Sequence, residues 1–265
     1  MRAWRAINTG HRAGPLNMAI DEVLLRGVAS QGSPPTVRVF GWRPPTVSIG
    51  HSQDPERELD LEACRRAGIG VVRRPTGGRA VLHAGELTYS IVGSVTDATL
   101  GRTIMETYLA VSRALLSGLE SLGVRAELQK VGGVSGPRPE AAAPPCFASA
   151  GRYEILAGGR KLVGSAQRRL AGAVLQHGSV LLDGTHARIV EFLRIPDDRR
   201  ARVRETLERA TTDVETLLGR RPRFDEVAEA MTRGFEREWR IAFVHDELGD
   251  GEEEAARSIA SDYCV

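Results

Sequence analysis

Residues 146–167 read CFASAGRYEILAGGRKLVGSAQ. Two strand-like runs flank Gly158-Gly159, and paired glycines between such runs predict a tight hairpin. The expected strands are 152–157 and 160–168. Lys161 stands out by composition: of 36 basic residues, only Lys130 and Lys161 are lysines. Arginine serves where a positive charge suffices, whereas lysine supplies a compact ammonium whose pKa shifts readily. A chance remainder is the other reading. Cys146 sits in the loop before the hairpin, and the returning strand can carry Lys161 toward it. A lysine ammonium is one way to lower a thiol's pKa. Such a pair suits acyl transfer through a thioester, although the spacing does not require the two to meet.

Outward from this stretch, residues 131–151 are rich in Gly, Pro, Ala and Ser and show no periodicity. A loop of that length within a domain is usually functional or disordered. A third strand is expected at 173–182, followed by a short helix at 187–193. A helix starts near Pro196, which Thr211-Thr212 interrupts, and another spans 225–240. Cys264, next to the C-terminus, reads as inert and mobile.

Towards the N-terminus, Leu16, Ile20, Val23, Leu24 and Val28 recur at helical spacing, predicting a helix over 14–29. Asn17, Asp21 and Glu22 then read as its solvated side. Strands are expected on both sides of Pro44-Pro45, with His51 structural at the end of the second. A single helix over 54–67 would bury Cys64 as a small core residue. Strands follow at 71–72, 80–83 and 87–95, with turns at 75–78 and 84–85. Gly77-Gly78 permits positive φ and close backbone approach to a ligand. Arg73, Arg74 and Arg79 are candidates for a phosphate or carboxylate, or form a solvated rim. The stripe from Ile104 to Leu122 predicts a core-facing helix ended by Gly123, and a strand is expected at 124–130.

The bulk numbers narrow the function class. The chain has 265 residues, of which 42% are hydrophobic, and a net charge of +2. That balance gives no charge argument for nucleic acid. No apolar run reaches the roughly 20 residues that span a bilayer, and the N-terminus lacks the apolar core of a secretory signal. Three cysteines make no disulfide framework and suit a reducing cytoplasm. No His/Cys cluster points to a metal. The expected architecture is α/β (α+β), mixed sheets flanked by helices.

Five segments in order resemble the lipoate-protein ligase and octanoyltransferase family, related to biotin-protein ligases. They are GPLNMAIDEVLL (14–25), PTVRVFGWRPPTVSIGHSQ (35–53), RRPTGGRAVLHAGELTYS (73–90), RKLVGSAQ (160–167) and LQHGSVLL (175–182). Cys146-Phe147 and the offset to Lys161 resemble the branch that uses a nucleophilic cysteine. The run GPRPEAAAPP ahead of Cys146 departs from that branch's shorter loop.

The resemblance implies a catalytic domain over 1–245 and a C-terminal helical tail over 246–265. It implies a cytoplasmic, monomeric octanoyltransferase of lipoate biosynthesis, needing no cofactor and no metal and binding neither nucleic acid nor membrane. The donor would be octanoyl-acyl carrier protein; the acceptors would be lipoyl domains and the glycine-cleavage H protein. Cys146 and Lys161 would be catalytic. Gly77, Gly78, Gly164, Ser165 and Ala166 would line the carbonyl end, and Val81 and Leu82 the octanoyl tunnel. Arg74, Thr76, Arg79, Ala80, His83, His177 and Gly178 complete the expected substrate site, with a purely structural role open for both histidines. The alternatives are an ATP-dependent lipoate ligase, and an amidotransferase taking octanoyl from H protein.

Overall fold

A computed structural model describes residues 3–30, 32–129 and 154–265. Cys146, Phe147, Lys130 and the 131–151 loop lie outside these residues. Among the described residues, eight strands form one mixed sheet and three form a second.

The strands of the large sheet are β1 (Arg5–Arg12), β2 (Thr36–Trp42), β6 (Glu86–Ser94), β7 (Glu127–Leu128), β8 (Ile155–Ala157), β9 (Arg160–Leu170), β10 (Ala173–Leu181) and β11 (Val244–Asp246). Their order is β11-β1-β2-β6-β10-β9-β8-β7. The small sheet contains β3 (Thr46–Ile49), β4 (Gly70–Arg73) and β5 (Val81–His83), in the order β4-β3-β5.

Side chains alternate across a strand, and β6 shows what that does here. Leu87, Tyr89 and Ile91 join one core with Val111, Leu115, Met231 and Phe235. The latter belong to helices α4 (Ile104–Ser121) and α7 (Phe224–Trp239). On the opposite face, Val92 and Leu175 pack with Ile20, Leu24 and Ala256, from α1 (Gly14–Ala29) and α8 (Asp250–Ile259). The sheet thus lies between two helical layers. Further along that second face, β6 presents Thr88 and Ser90 rather than apolar residues.

Two expectations about helices are corrected. Asn17, Asp21 and Glu22 are buried, not solvated. Helix α1 turns this polar side onto the large sheet, not to solvent: Arg168 of β9 pairs with Glu22, and Arg38 of β2 with Asp21. The expected helix over 54–67 is instead two short ones, α2 (Pro55–Glu58) and α3 (Leu61–Arg66). Leu59 breaks it by bridging to Leu193, and Asp60 caps the second helix through the Ala63 N–H. Cys64 is buried, and burial raises its thiol pKa to about 11.

The strand expected at 124–130 is only the two residues of β7; Val124 turns into the main core instead. The C-terminus is docked, not free. Glu252 and Glu253 pair with Arg5 and Arg12, and Cys264 bridges to Val72 while its side chain stays exposed. The 158–159 hairpin forms, placing Lys161 opposite Leu156.

Candidate functional site

The face of the large sheet that carries Thr88 and Ser90 opens into a pocket. Cross-strand register explains what lines it. Arg38, Ser90, His177 and Ala166 form one row across β2, β6, β10 and β9. Phe40, Thr88, Ser179 and Gly164 form the next. Gly164 and Ala166 therefore face the pocket with almost no side chain, which leaves room for a ligand. Ser165 points to the other face, where its hydroxyl meets Tyr89 Oη at 2.6 Å; only its backbone borders the pocket.

Gly178, paired with Ser165 across β9 and β10, has no room for a side chain. A Cβ there would stand 2.2 Å from the Gly164 carbonyl oxygen and 2.9 Å from Tyr89 Oη. Gly50 answers the same need under the Gly78 turn, where a Cβ would come within 2.0 Å of the Gly78 carbonyl oxygen.

The turn from Pro75 to Arg79 forms one wall. Gly77 and Gly78 line the pocket, and Gly78 has φ +105°. Arg74 is buried behind the turn. Its guanidinium donates to the carbonyls of Ser48, Gly77 and Arg79 and to Ser48 Oγ, at 2.8–3.2 Å. Arg74 therefore braces the turn while also lining the pocket. Arg73 likewise donates to the Gln53 carbonyl, at 2.6 Å. Arg79 is half-buried.

Val81 and His83 line the pocket, being on one face of β5. Leu82 points the other way, and with Ala80 it packs against Val47, Ile49 and Leu59. Trp42 stacks on His83 at 4.0 Å between centroids, and Met18 lines the pocket with them.

Both pocket histidines are locked into relays. His83 Nδ1 donates to Glu86 Oε1 (2.6 Å), and its Nε2 accepts from Ser48 Oγ (2.7 Å). His177 Nδ1 donates to Asp21 Oδ2 (3.2 Å), and its Nε2 accepts from Thr76 Oγ1 (2.6 Å). An ionised carboxylate only accepts, which places each ring proton on Nδ1. Burial pushes the His177 pKa down despite Asp21. Burial also raises the Asp21 pKa, but hydrogen bonds from His177 and Ser90 and the Arg38 charge outweigh it, so the carboxyl stays below its usual range. The aspartate and its arginine share one buried cluster: Arg38 Nη1 donates to Asp21 Oδ1 at 2.8 Å, and Nη2 to Asn17 Oδ1 at 2.6 Å.

Lys161 is buried on β9, where its ammonium donates to Glu154 Oε1. The Lys161 carbonyl accepts from the Thr212 N–H, tying β9 to the segment between helices α5 (Asp197–Ala210) and α6 (Val214–Leu218). Glu154 Oε2 is buried and has no hydrogen-bond partner among the described residues. Sequence reasoning missed Asp21, Glu86, Glu154, Trp42 and Ser48. For Asp21 a signal existed: apolar residues flank it on both sides of the helix, at Met18, Ala19, Ile20, Leu24 and Leu25. Among the described residues, no group of three His, Cys, Asp or Glu is placed to hold a metal ion. No helix among them is long and apolar enough to cross a membrane.

The sequence profile of the lipoyl protein ligase A/B catalytic domain matches residues 14–236. The chain is 42% identical to octanoyltransferase LipM of Symbiobacterium thermophilum, over 97% of this chain and 93% of that one. It is 40% identical to octanoyltransferase LipM of Moorella thermoacetica, over 99% and 96%. Among solved structures, lipoate-protein ligase A bound with ATP superposes with a TM-score of 0.77 at 27% identity, covering 98% of this chain and 95% of that one. The bi-partite lipoate protein ligase of Thermoplasma acidophilum shares the fold, with a TM-score of 0.79 at 24% identity over 98% and 93%. A profile match over most of the chain and relatives aligned almost end to end agree with the mixed sheets and pocket described above: the chain belongs to the lipoyl protein ligase A/B catalytic domain family.

Proposed function

We propose that this chain is a cytoplasmic octanoyltransferase of lipoate biosynthesis. It takes octanoyl from octanoyl-acyl carrier protein and delivers it to a lysine of a lipoyl domain or H protein. The observation that carries this reading is 42% identity, over 97% of the chain, to an octanoyltransferase. The pocket supports it: small residues at Gly164 and Ala166 leave space beside apolar Met18, Trp42 and Val81. Each buried methylene contributes about 0.8 kcal/mol, so chain length is read by area.

In the proposed chemistry, the Cys146 thiolate adds to the thioester carbon. The bond from that carbon to the carrier's sulfur breaks, and the released thiolate takes a proton. The acceptor amine then adds to the Cys146 thioester; a C–N bond forms, the C–S bond breaks, and the amine's proton passes to the departing thiolate. Exchange between thioesters has little driving force, and the amide supplies it without ATP. Lys161 supports the Cys146 thiolate and orients the acyl carbonyl, with the Gly77-Gly78 turn and the backbone at 164–166 around it. Thr76, Arg79, Ala80 and Leu82 shape this site from behind.

The test mixes the purified chain with octanoyl-acyl carrier protein and an unmodified lipoyl domain, without ATP. Octanoylated lipoyl domain is the expected product. Transfer only from octanoyl-H protein would mean an amidotransferase, and dependence on free lipoate and ATP a ligase.

A further inference from the structure

Asp21 sits on α1 directly over the row Arg38–Ser90–His177. Its two oxygens have different work. Oδ1 accepts from Arg38 Nη1 and Ser90 Oγ, both at 2.8 Å. Oδ2 meets His177 Nδ1. His177 in turn holds Thr76, whose carbonyl accepts the His51 N–H at 2.9 Å. A line of contacts therefore runs from the buried Arg38 guanidinium to the turn that walls the pocket.

We propose that Asp21 is a positioning residue of the acyl site: it fixes His177 as the Nδ1–H tautomer, so that Nε2 captures the Thr76 hydroxyl and holds the Gly77-Gly78 turn against the ligand. For the acyl group concerned, this rests on the octanoyl-transfer reading. Glu86 beside His83 provides an internal contrast. There one oxygen, Oε1, accepts from His83, Thr88 and Ser179 together, while Oε2 has no partner.

The contrast gives two opposite expectations for the amide variants. In Asp21→Asn, the two donors Arg38 and Ser90 force the amide oxygen into the Oδ1 place. The NH₂ group then faces His177 Nδ1 and makes it an acceptor, so the proton moves to Nε2. In Glu86→Gln, the amide oxygen stays at the shared Oε1 place, and His83 keeps its Nδ1 proton.

The experiment is ¹⁵N NMR of the imidazoles in the full-length protein, with steady-state transfer kinetics on the same samples. Expected are Nδ1–H signals for both rings in the parent, inversion of His177 alone in Asp21→Asn, and no inversion in Glu86→Gln. With inversion the contact turns round, His177 Nε2–H donating to Thr76 Oγ1, which takes from the hydroxyl proton its acceptor; KM for the octanoyl donor rises about five- to tenfold, the scale of one buried donor left unsatisfied. Thr76→Val raises KM similarly without inverting His177, and Thr76→Ser restores it; these variants test the relay should Asp21→Asn fail to fold. An Nε2–H ring at His177 in the parent, no inversion in a folded Asp21→Asn, or unchanged KM in Thr76→Val would overturn the proposal. A parent that shows the expected tautomers but transfers no octanoyl would sink only the octanoyl reading.

Discussion

Lys161 and Glu154 face each other across the β8–β9 hairpin as a buried ion pair, although the Gly158-Gly159 turn is the only part of that arrangement with a local sequence signal. The pairing has a consequence for substitution. An arginine at 161 keeps the charge but replaces a compact ammonium with a planar fork. Lys161→Arg is expected to fold and to lose about 10²-fold in kcat, the cost of a positioning group misplaced by about 1 Å. Single-turnover transfer from octanoyl-acyl carrier protein measures this.

Removing the Asp21 carboxylate leaves the Arg38 guanidinium buried without its anion. Breaking such a pair from one side costs about 3–5 kcal/mol. Asp21→Ala is therefore expected to lower the urea midpoint at unchanged slope. An effect below about 1 kcal/mol would mean that the cluster relaxes around the loss.

The same cluster sets an acid limit on stability. His177 has a folded pKa below its unfolded value near 6.5. The unfolded chain therefore binds more protons as pH falls below about 6.5, and stability declines from there toward the folded pKa. Asp21 also has a lowered pKa, so its contribution is present above the ordinary carboxylate range and is lost as pH falls through its folded value. The charged and titratable groups around His177 are Asp21 on α1, Arg38 on β2, Arg74 in the turn and His83 on β5. Urea unfolding at pH 7.5 and 5.5 should show lower stability at 5.5, and His177→Gln should shrink the difference.

Ala166 faces the pocket from β9, opposite His177. A leucine there fills space that the acyl chain would use. Ala166→Leu is expected to shift preference from octanoyl toward hexanoyl donors. The scale is about fourfold per displaced methylene, from about 0.8 kcal/mol each. Competition between the two donors reads this directly.

What sequence shows and hides divides along physical lines. The α4 stripe and the Gly158-Gly159 turn depend on local periodicity and backbone freedom, and both are visible in a short window. The partners of Lys161, His83 and His177 are set by sheet register and by which helix covers which face. Arg74 illustrates the limit: beside paired glycines it reads as a candidate anion ligand or a solvated rim, and nothing local announces that it also braces carbonyls of its own turn and of β3. Asp21 illustrates it again, because its solvated reading assumed that α1 turns its polar side to water, and that side lies on the sheet against Arg38, Ser90 and His177.

Intact-mass measurement on the chain mixed with octanoyl-acyl carrier protein, with acceptor withheld, tests the central claim most directly. The account predicts one octanoyl adduct, mapped by digestion to Cys146, absent in Cys146→Ser and discharged when a lipoyl domain is added. Full turnover by Cys146→Ser, or a parent enzyme that transfers octanoyl without ever carrying it, would contradict the account.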